Sequence, residues 1–379
     1  MRTAAPHPLN PGVPNAPVAH VRVSTPGRVC LFGEHQDYLH LPVIPCAISV
    51  RIGIACTLRH DREVHLDLPD IGSHDRFSLA GPLAYGVERD YLRSAVNVLL
   101  RRGFTFSHGC DCTVRGNIPI NSGTSSSSAL VVTWINLLAR ISDQQAVLAP
   151  IDLARYAHEA EVVEFGEPGG MMDHYSTALG GVLILEFRPA PVVEQLDVQL
   201  GTFVLGDSGE PKDTRGILAR VKNGVLRVVR HLEERHPGFS LQTVTAETLQ
   251  ALTVDLTSEE RELLAGTLRN RDLTREARAL LSRRPLDHRR LGALLTEHQN
   301  VLRDVLRIST PKIDRMIAAG IAAGAYGGKI NGSGGGGCMF VYAPVQPERV
   351  AAAVEREGGR AYIVTADSGA RSDLSPGID

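Results

Sequence analysis

The chain has 379 residues, of which 43% are hydrophobic and 22% charged, with a formal net charge of −2. Such a length predicts two domains and such a composition a soluble globular protein, while the balanced charge gives no global attraction to nucleic acid or an anionic membrane. No apolar run approaches the length that spans a bilayer, so neither class of partner is expected.

Residues 1–17 are rich in Pro, Ala and Asn without an apolar segment, and read as a flexible start rather than a signal peptide. Residues 21–24 and 29–32 read as short strands about the turn signal Pro26-Gly27. Residues 49–59 alternate and are β-branched, as a strand requires, and 91–102 carry apolar residues at helical spacing up to Gly103. A strand at 112–114 leads to a loop at 116–123; after a serine run come helices over 129–141 and 151–164 and a buried strand over 181–187.

The pattern resets at 189–191, which predicts one domain over 18–190 and another over 191–370. The second starts with a strand at 201–207 and a long amphipathic helix at 214–234. Residues 259–307 are mostly helical, with Ser258 and Thr274 as caps and a break at Pro285, and 312–324 form a further helix. A glycine-rich segment at 327–337 then runs into a strand at 338–343. Helices and strands mix without regular βαβ alternation, so the fold class is α+β rather than a doubly wound sheet. The six cysteines, Cys30, Cys46, Cys56, Cys110, Cys112 and Cys338, form no Cys-x-x-Cys pair and read as free buried thiols in a reducing cytoplasm.

Three stretches carry chemistry. In residues 116–129, Ser122-Gly123-Thr124 and then Ser125, Ser126, Ser127 and Ser128 open an apolar helix. A helix N-terminus offers unpaired N–H groups and a positive dipole end, which suit a polyphosphate, and a serine hydroxyl can ligate Mg²⁺. Capping needs one serine, so this run points past a capped flexible turn to phosphate. Residues 329–338 satisfy G-x-G-x-x-G through Gly332, Gly334 and Gly337, yet they open a strand where a dinucleotide fingerprint opens a helix. They read either as an arch of N–H groups over phosphates or as a flexible hairpin. Residues 26–38 gather Arg28, Glu34, His35 and Asp37. Carboxylates there suit the hydroxyls of a sugar, with a surface charge cluster as the alternative. A metal site from His35, Asp37 and His40 fits no familiar zinc spacing.

In this order the three stretches resemble the motifs of the GHMP kinases: galactokinase, homoserine kinase, mevalonate kinase and phosphomevalonate kinase. Residues 26–38 are similar to the galactokinase signature, and Gly169-Gly170-Met171-Met172-Asp173-His174 to a fourth family motif ending in aspartate and glutamine. The resemblance spans residues 21–343. It implies an N-terminal domain like ribosomal protein S5 domain 2, a ferredoxin-like C-terminal domain, and a site in the cleft between them.

It also implies roles. Asp173 matches the aspartate near the accepting hydroxyl, where the residue-level alternative is a helix cap, and Arg28 the arginine between that aspartate and the transferring phosphate. Glu34, His35, Asp37 and Gly170 match sugar-contacting positions; Gly123, Ser125, Ser126, Ser127, Ser128, Gly334 and Gly335 match ATP-binding ones. Ser127 and Glu161 match the Mg²⁺ ligands, with a solvated helix face as the alternative for Glu161. Cys30, the turn Leu39-His40-Leu41 and His174 depart from the family pattern beside the sugar. The expected reaction is ATP-dependent phosphorylation of galactose at the anomeric hydroxyl. The alternatives are another sugar (an N-acetylhexosamine, arabinose, fucose or a uronic acid) and a non-catalytic sugar- and ATP-binding sensor. The partners implied are sugar, ATP and Mg²⁺, for a cytoplasmic monomer or weak homo-oligomer.

Overall fold

The computed structural model describes residues 20–167, 169–187, 191–212 and 214–375. The flexible start expected at 1–17, and most of the reset expected at 189–191, lie outside the described residues. The strands are β1 His20–Phe32, β2 Ile44–Leu58, β3 Glu63–Leu68, β4 Ser73–Ser78, β5 Cys110–Gly116, β6 Val182–Phe187, β7 Pro191–Leu196, β8 Phe203–Asp207, β9 Gly327–Ile330, β10 Cys338–Tyr342, β11 Arg360–Val364 and β12 Arg371–Ser375. The helices are α1 Tyr91–Arg101, α2 Ser126–Ile141, α3 Pro150–His158, α4 Met172–Leu179, α5 Thr214–Arg235, α6 Ala246–Leu252, α7 Ser258–Leu281, α8 His288–Asn300, α9 Pro311–Ala322 and α10 Pro347–Arg356. None is long and apolar enough to cross a membrane.

The larger sheet runs β12-β1-β2-β5-β3-β4, with β6 on β2 and β7 on β6; only β3 and β5 pair in parallel. The smaller, wholly antiparallel sheet runs β11-β8-β10-β9. Its chain order, β8 then helices, β9, β10, α10 and β11, is the split βαβ arrangement of a ferredoxin-like domain. Residues 191–196, expected in the second domain, instead close a hairpin on β6, and the last strand, β12, also returns to the larger sheet.

Three local expectations change. The two strands expected around Pro26-Gly27 are one strand, β1, with a register shift between those residues. A bulge tolerates the missing N–H of proline, so no turn is needed. A Cβ on Gly27 would lie 2.9 Å from Thr124 O, so the glycine admits the serine loop rather than a reversal. The cap of α7 is Thr257, in a capping box with Glu260, not Ser258. Thr274 caps nothing: it lies inside α7 and returns its hydroxyl to Asn270 O at 2.9 Å. Finally, Gly327–Ile330 is a strand, because the ladder with β10 supplies the order that its composition does not.

Alternation puts one face of the larger sheet against α1–α4, around the fully buried Trp134, whose indole N–H donates to Leu92 O at 3.0 Å. A second core, from Phe32 and Ile48 to Phe203 and Phe340, joins the two sheets. A third fills the smaller sheet's other face, and a fourth packs α5–α7 around Leu39 and Leu41.

Candidate active site

A cleft of about 860 Å³ opens where β1, the serine loop, the first turn of α4 and the β9–β10 hairpin meet. Beyond its bulge, β1 brings Arg28 to the floor. Its guanidinium donates to Asp173 Oδ1 from Nε at 2.9 Å and from Nη2 at 2.7 Å, and to Gly123 O from Nη1. The Arg28 side chain is 5% exposed and that of Asp173 31%, so the carboxylate faces the cleft with the cation behind it. Burial works to raise the Asp173 carboxyl, but the charge and hydrogen bonds of Arg28 overcome it and hold the group below its usual range. Asp173 is therefore an ionised acceptor of a proton or of a hydroxyl hydrogen bond.

The helix behind the serine loop begins at Ser126, earlier than expected, after Ser125 in a left-handed conformation. No side chain caps its start, leaving its first N–H groups toward the cleft. Facing this end is Lys212, a cation that sequence reasoning passed over. Its Nζ would lie 3.2 Å from a Cβ on Gly123, and burial, then Arg28, depress it to about 8. Its only sequence signal was scarcity, as one of four lysines, placed in a turn directly after β8.

Glu161 sits where α3 widens into a π-helical turn over Glu159–Val163, a local irregularity common at functional positions. It accepts from His174 Nε2 at 2.7 Å. Burial pushes its carboxyl up, but His174 and the Ser127 and Ser128 hydroxyls pull it lower, so it stays ionised. A carboxylate beside a serine hydroxyl is an all-oxygen donor set, which fits Mg²⁺.

The glycine hairpin is not a loose arch. Asn331 donates to Gly123 O at 2.7 Å and accepts from Cys30 N at 2.9 Å, tying serine loop, β1 and hairpin together. Gly332 and Gly123, both with positive φ, stack so closely that a Cβ on Gly332 would lie 3.0 Å from Gly123 O. Gly334 and Gly335, expected at ATP, do not border the cleft: Gly334 packs on Ile308, and Gly335 donates its N–H to Ile308 O at 2.7 Å. Gly332 and Ser333 line the cleft in their place.

Glu34 borders the cleft with both oxygens already engaged. Only 2% exposed, it accepts from Gly332 N at 2.7 Å through one oxygen and from Lys329 Nζ through the other. Lys329, fully buried, donates as well to Cys30 O and Ile330 O, each at 2.9 Å. His35 Nε2 lies 3.0 Å from Ser333 O, which only accepts, so Nε2 carries the proton and Nδ1 accepts from the Tyr38 hydroxyl at 2.9 Å. Burial lowers this imidazole to about 4, so it is neutral. Glu34 and His35 border the cleft, and their polar atoms are at the same time engaged in clamping the hairpin.

Asp37 is the open carboxylate of that motif. It borders the cleft, accepts from Tyr38 N at 2.9 Å, and is raised to about 6 by burial and then by Asp173. Gly170 makes room for it, since a Cβ there would fall 1.7 Å from Asp37 Oδ2. In the altered turn, Leu39 and Leu41 pack into the α5–α7 core with Val225, Val228 and Leu232.

Residues 90–181 match the GHMP kinases N terminal domain, 277–361 the GHMP kinases C terminal domain, and 15–58 the galactokinase galactose-binding signature. The chain belongs to the GHMP kinases and carries the galactokinase signature. A mevalonate kinase of Thermococcus sibiricus is 26% identical over 355 residues, 90% of this chain and 95% of that protein. A galactokinase of Haemophilus influenzae is 29% identical over 343 residues, 86% of this chain and 85% of that protein. The crystal structure of Lactococcus lactis galactokinase complexed with galactose matches with a TM-score of 0.80 at 21% identity, over 93% of this chain and 95% of the other.

Proposed function

We propose that this kinase transfers the γ-phosphoryl group of ATP to a sugar, and that the sugar is galactose, phosphorylated at its anomeric hydroxyl. The observation that carries the reading is the Arg28–Asp173 pair facing the cleft, with Asp37 and Gly170 beside it. The triphosphate lies along the start of α2, against Lys212 and Arg28, and the sugar between Asp37 and Asp173. Asp173 takes the hydrogen bond, and then the proton, of the attacking hydroxyl. Arg28 holds that carboxylate ionised and neutralises charge on the equatorial oxygens of the transferring group. Ser127 and Glu161 would hold Mg²⁺, which would supply charge neutralisation for the phosphoryl transfer.

The galactose-binding signature and the galactokinase relative support this acceptor. The mevalonate kinase relatives favour a second one, mevalonate. Its carboxylate would have to sit near the acids Asp37 and Asp173, a like-charge contact that a neutral sugar avoids. An ADP-release assay with Mg-ATP over free sugars and mevalonate decides between them, followed by location of the phosphorylated hydroxyl. Galactose is expected to give the highest kcat/KM; turnover with mevalonate and none with any sugar overturns the proposal.

A further inference from the structure

Outside the cleft, one group of reactive side chains converges that the kinase reaction does not use. Cys56 on β2 and Cys110 and Cys112 on β5 bring three sulfurs to within 4.8 Å of one another. The placement follows from the ladder. Cys56 stands opposite Cys112, in the register where Arg59 N donates to Gly109 O and Asn117 N to Arg51 O. Hydrogen-bonded pairs thus fall on odd-numbered residues, and Cys56 and Cys112 form a non-hydrogen-bonded pair, the position where facing side chains come closest. Cys110, two residues earlier, shares their face.

We infer that Cys56, Cys110 and Cys112 form a three-coordinate, sulfur-only site for a soft univalent metal ion of the Cu(I) type. All three side chains are buried, at 3%, 0% and 4% exposure, on rigid neighbouring strands. Among the described residues no His, Asp or Glu joins the group as a fourth ligand. Zinc in structural sites takes four ligands, whereas thiolate sulfur selects softer ions. The surroundings are apolar, with Val21, Val23, Ile54, Val64 and Leu66 in the same core, so an ion of low charge is the less costly one to hold there.

The site is remote from the chemistry: Cys56 is nine residues along β2 from Ala47, the partner of Arg28, or roughly 30 Å.

The test titrates the full, reduced chain anaerobically with Cu(I), in competition with bathocuproine disulfonate. One tightly held equivalent is expected, with affinity at least about tenfold weaker in Cys56→Ala and Cys112→Ala and unchanged in Cys46→Ala. Should a variant fail to fold, the unmodified chain is read directly. Cu(I) is expected to slow maleimide labelling of Cys56, Cys110 and Cys112 at least about tenfold, leaving Cys46 and Cys338 unaffected. No stoichiometric binding, or labelling slowed equally at all six cysteines, overturns the site. Tighter retention of Zn(II) than of Cu(I) by the same thiols overturns the choice of ion.

Discussion

Glu34 and Asp37 stand three residues apart in one motif, and the structure gives them opposite surroundings. Both border the cleft, but the oxygens of Glu34 are taken by Lys329 and the Gly332 N–H, whereas Asp37 is raised to about 6 by burial and by Asp173. Around the first, hydrogen bonds tie β1, the serine loop and the glycine hairpin together. Around the second, open space remains for a ligand. Charge near a catalytic cleft therefore divides into groups that hold geometry and groups that meet substrate, and residue type alone does not separate them.

The engaged side should respond through stability. Glu34→Gln leaves the Lys329 ammonium buried without its partner, and breaking such a pair costs about 3–5 kcal/mol. A correspondingly lower urea midpoint is expected, with much of the loss recovered in Glu34→Gln combined with Lys329→Met. A variant as stable as the parent, but defective in sugar KM alone, would move Glu34 to the ligand side of the comparison.

The open side should respond through rate. Asp173→Asn keeps the shape beside Arg28 but removes the proton acceptor, so kcat should fall at least about 10²-fold while ATP binding persists. Single-turnover kinetics with calorimetric ATP binding reads both quantities. Next in size is Asp37→Asn, expected to lower kcat/KM for the sugar by about tenfold with little change for ATP, as loss of one ligand hydrogen bond would. Equal losses for both substrates would place Asp37 with Glu34 as a structural group.

This division also marks where the sequence was legible. Patterns of short range carried well: the helix over 91–101, the serine loop at a helix start, and the motifs that converge on the cleft could all be read from neighbouring residues. What failed depended on partners distant in the chain. Lys329 lies 295 residues from Glu34, so nothing local could show that this carboxylate was taken. Leu39 and Leu41 looked like a change beside the sugar, yet their apolar side chains found the core of α5–α7. Gly334 and Gly335 have a phosphate loop's composition, and only their packing on Ile308 shows that they face away. Lys212 carried no motif and gained a role through position alone.

The smallest effect is also the one that separates Asp37 from Asp173 and Glu161. Burial and the nearby Asp173 raise its carboxyl from the usual range to about 6, while Asp173 and Glu161 are held low. Below about pH 6 the free enzyme carries Asp37 protonated, and the group that accepts from a sugar hydroxyl is lost. Sugar kcat/KM should therefore rise through a limb centred near pH 6, and Asp37→Asn should flatten it. Stability must move the other way. A carboxyl whose folded value lies above its unfolded value binds more protons in the fold, so its contribution is complete below the unfolded value and fades as pH rises through about 6. Denaturation midpoints measured from about pH 4 to 7 should show the parent losing, over that window, stability that Asp37→Asn keeps. Activity and stability crossing in opposite directions is a signature that a merely buried acid would not give, since it would move the stability curve and leave the sugar kinetics alone.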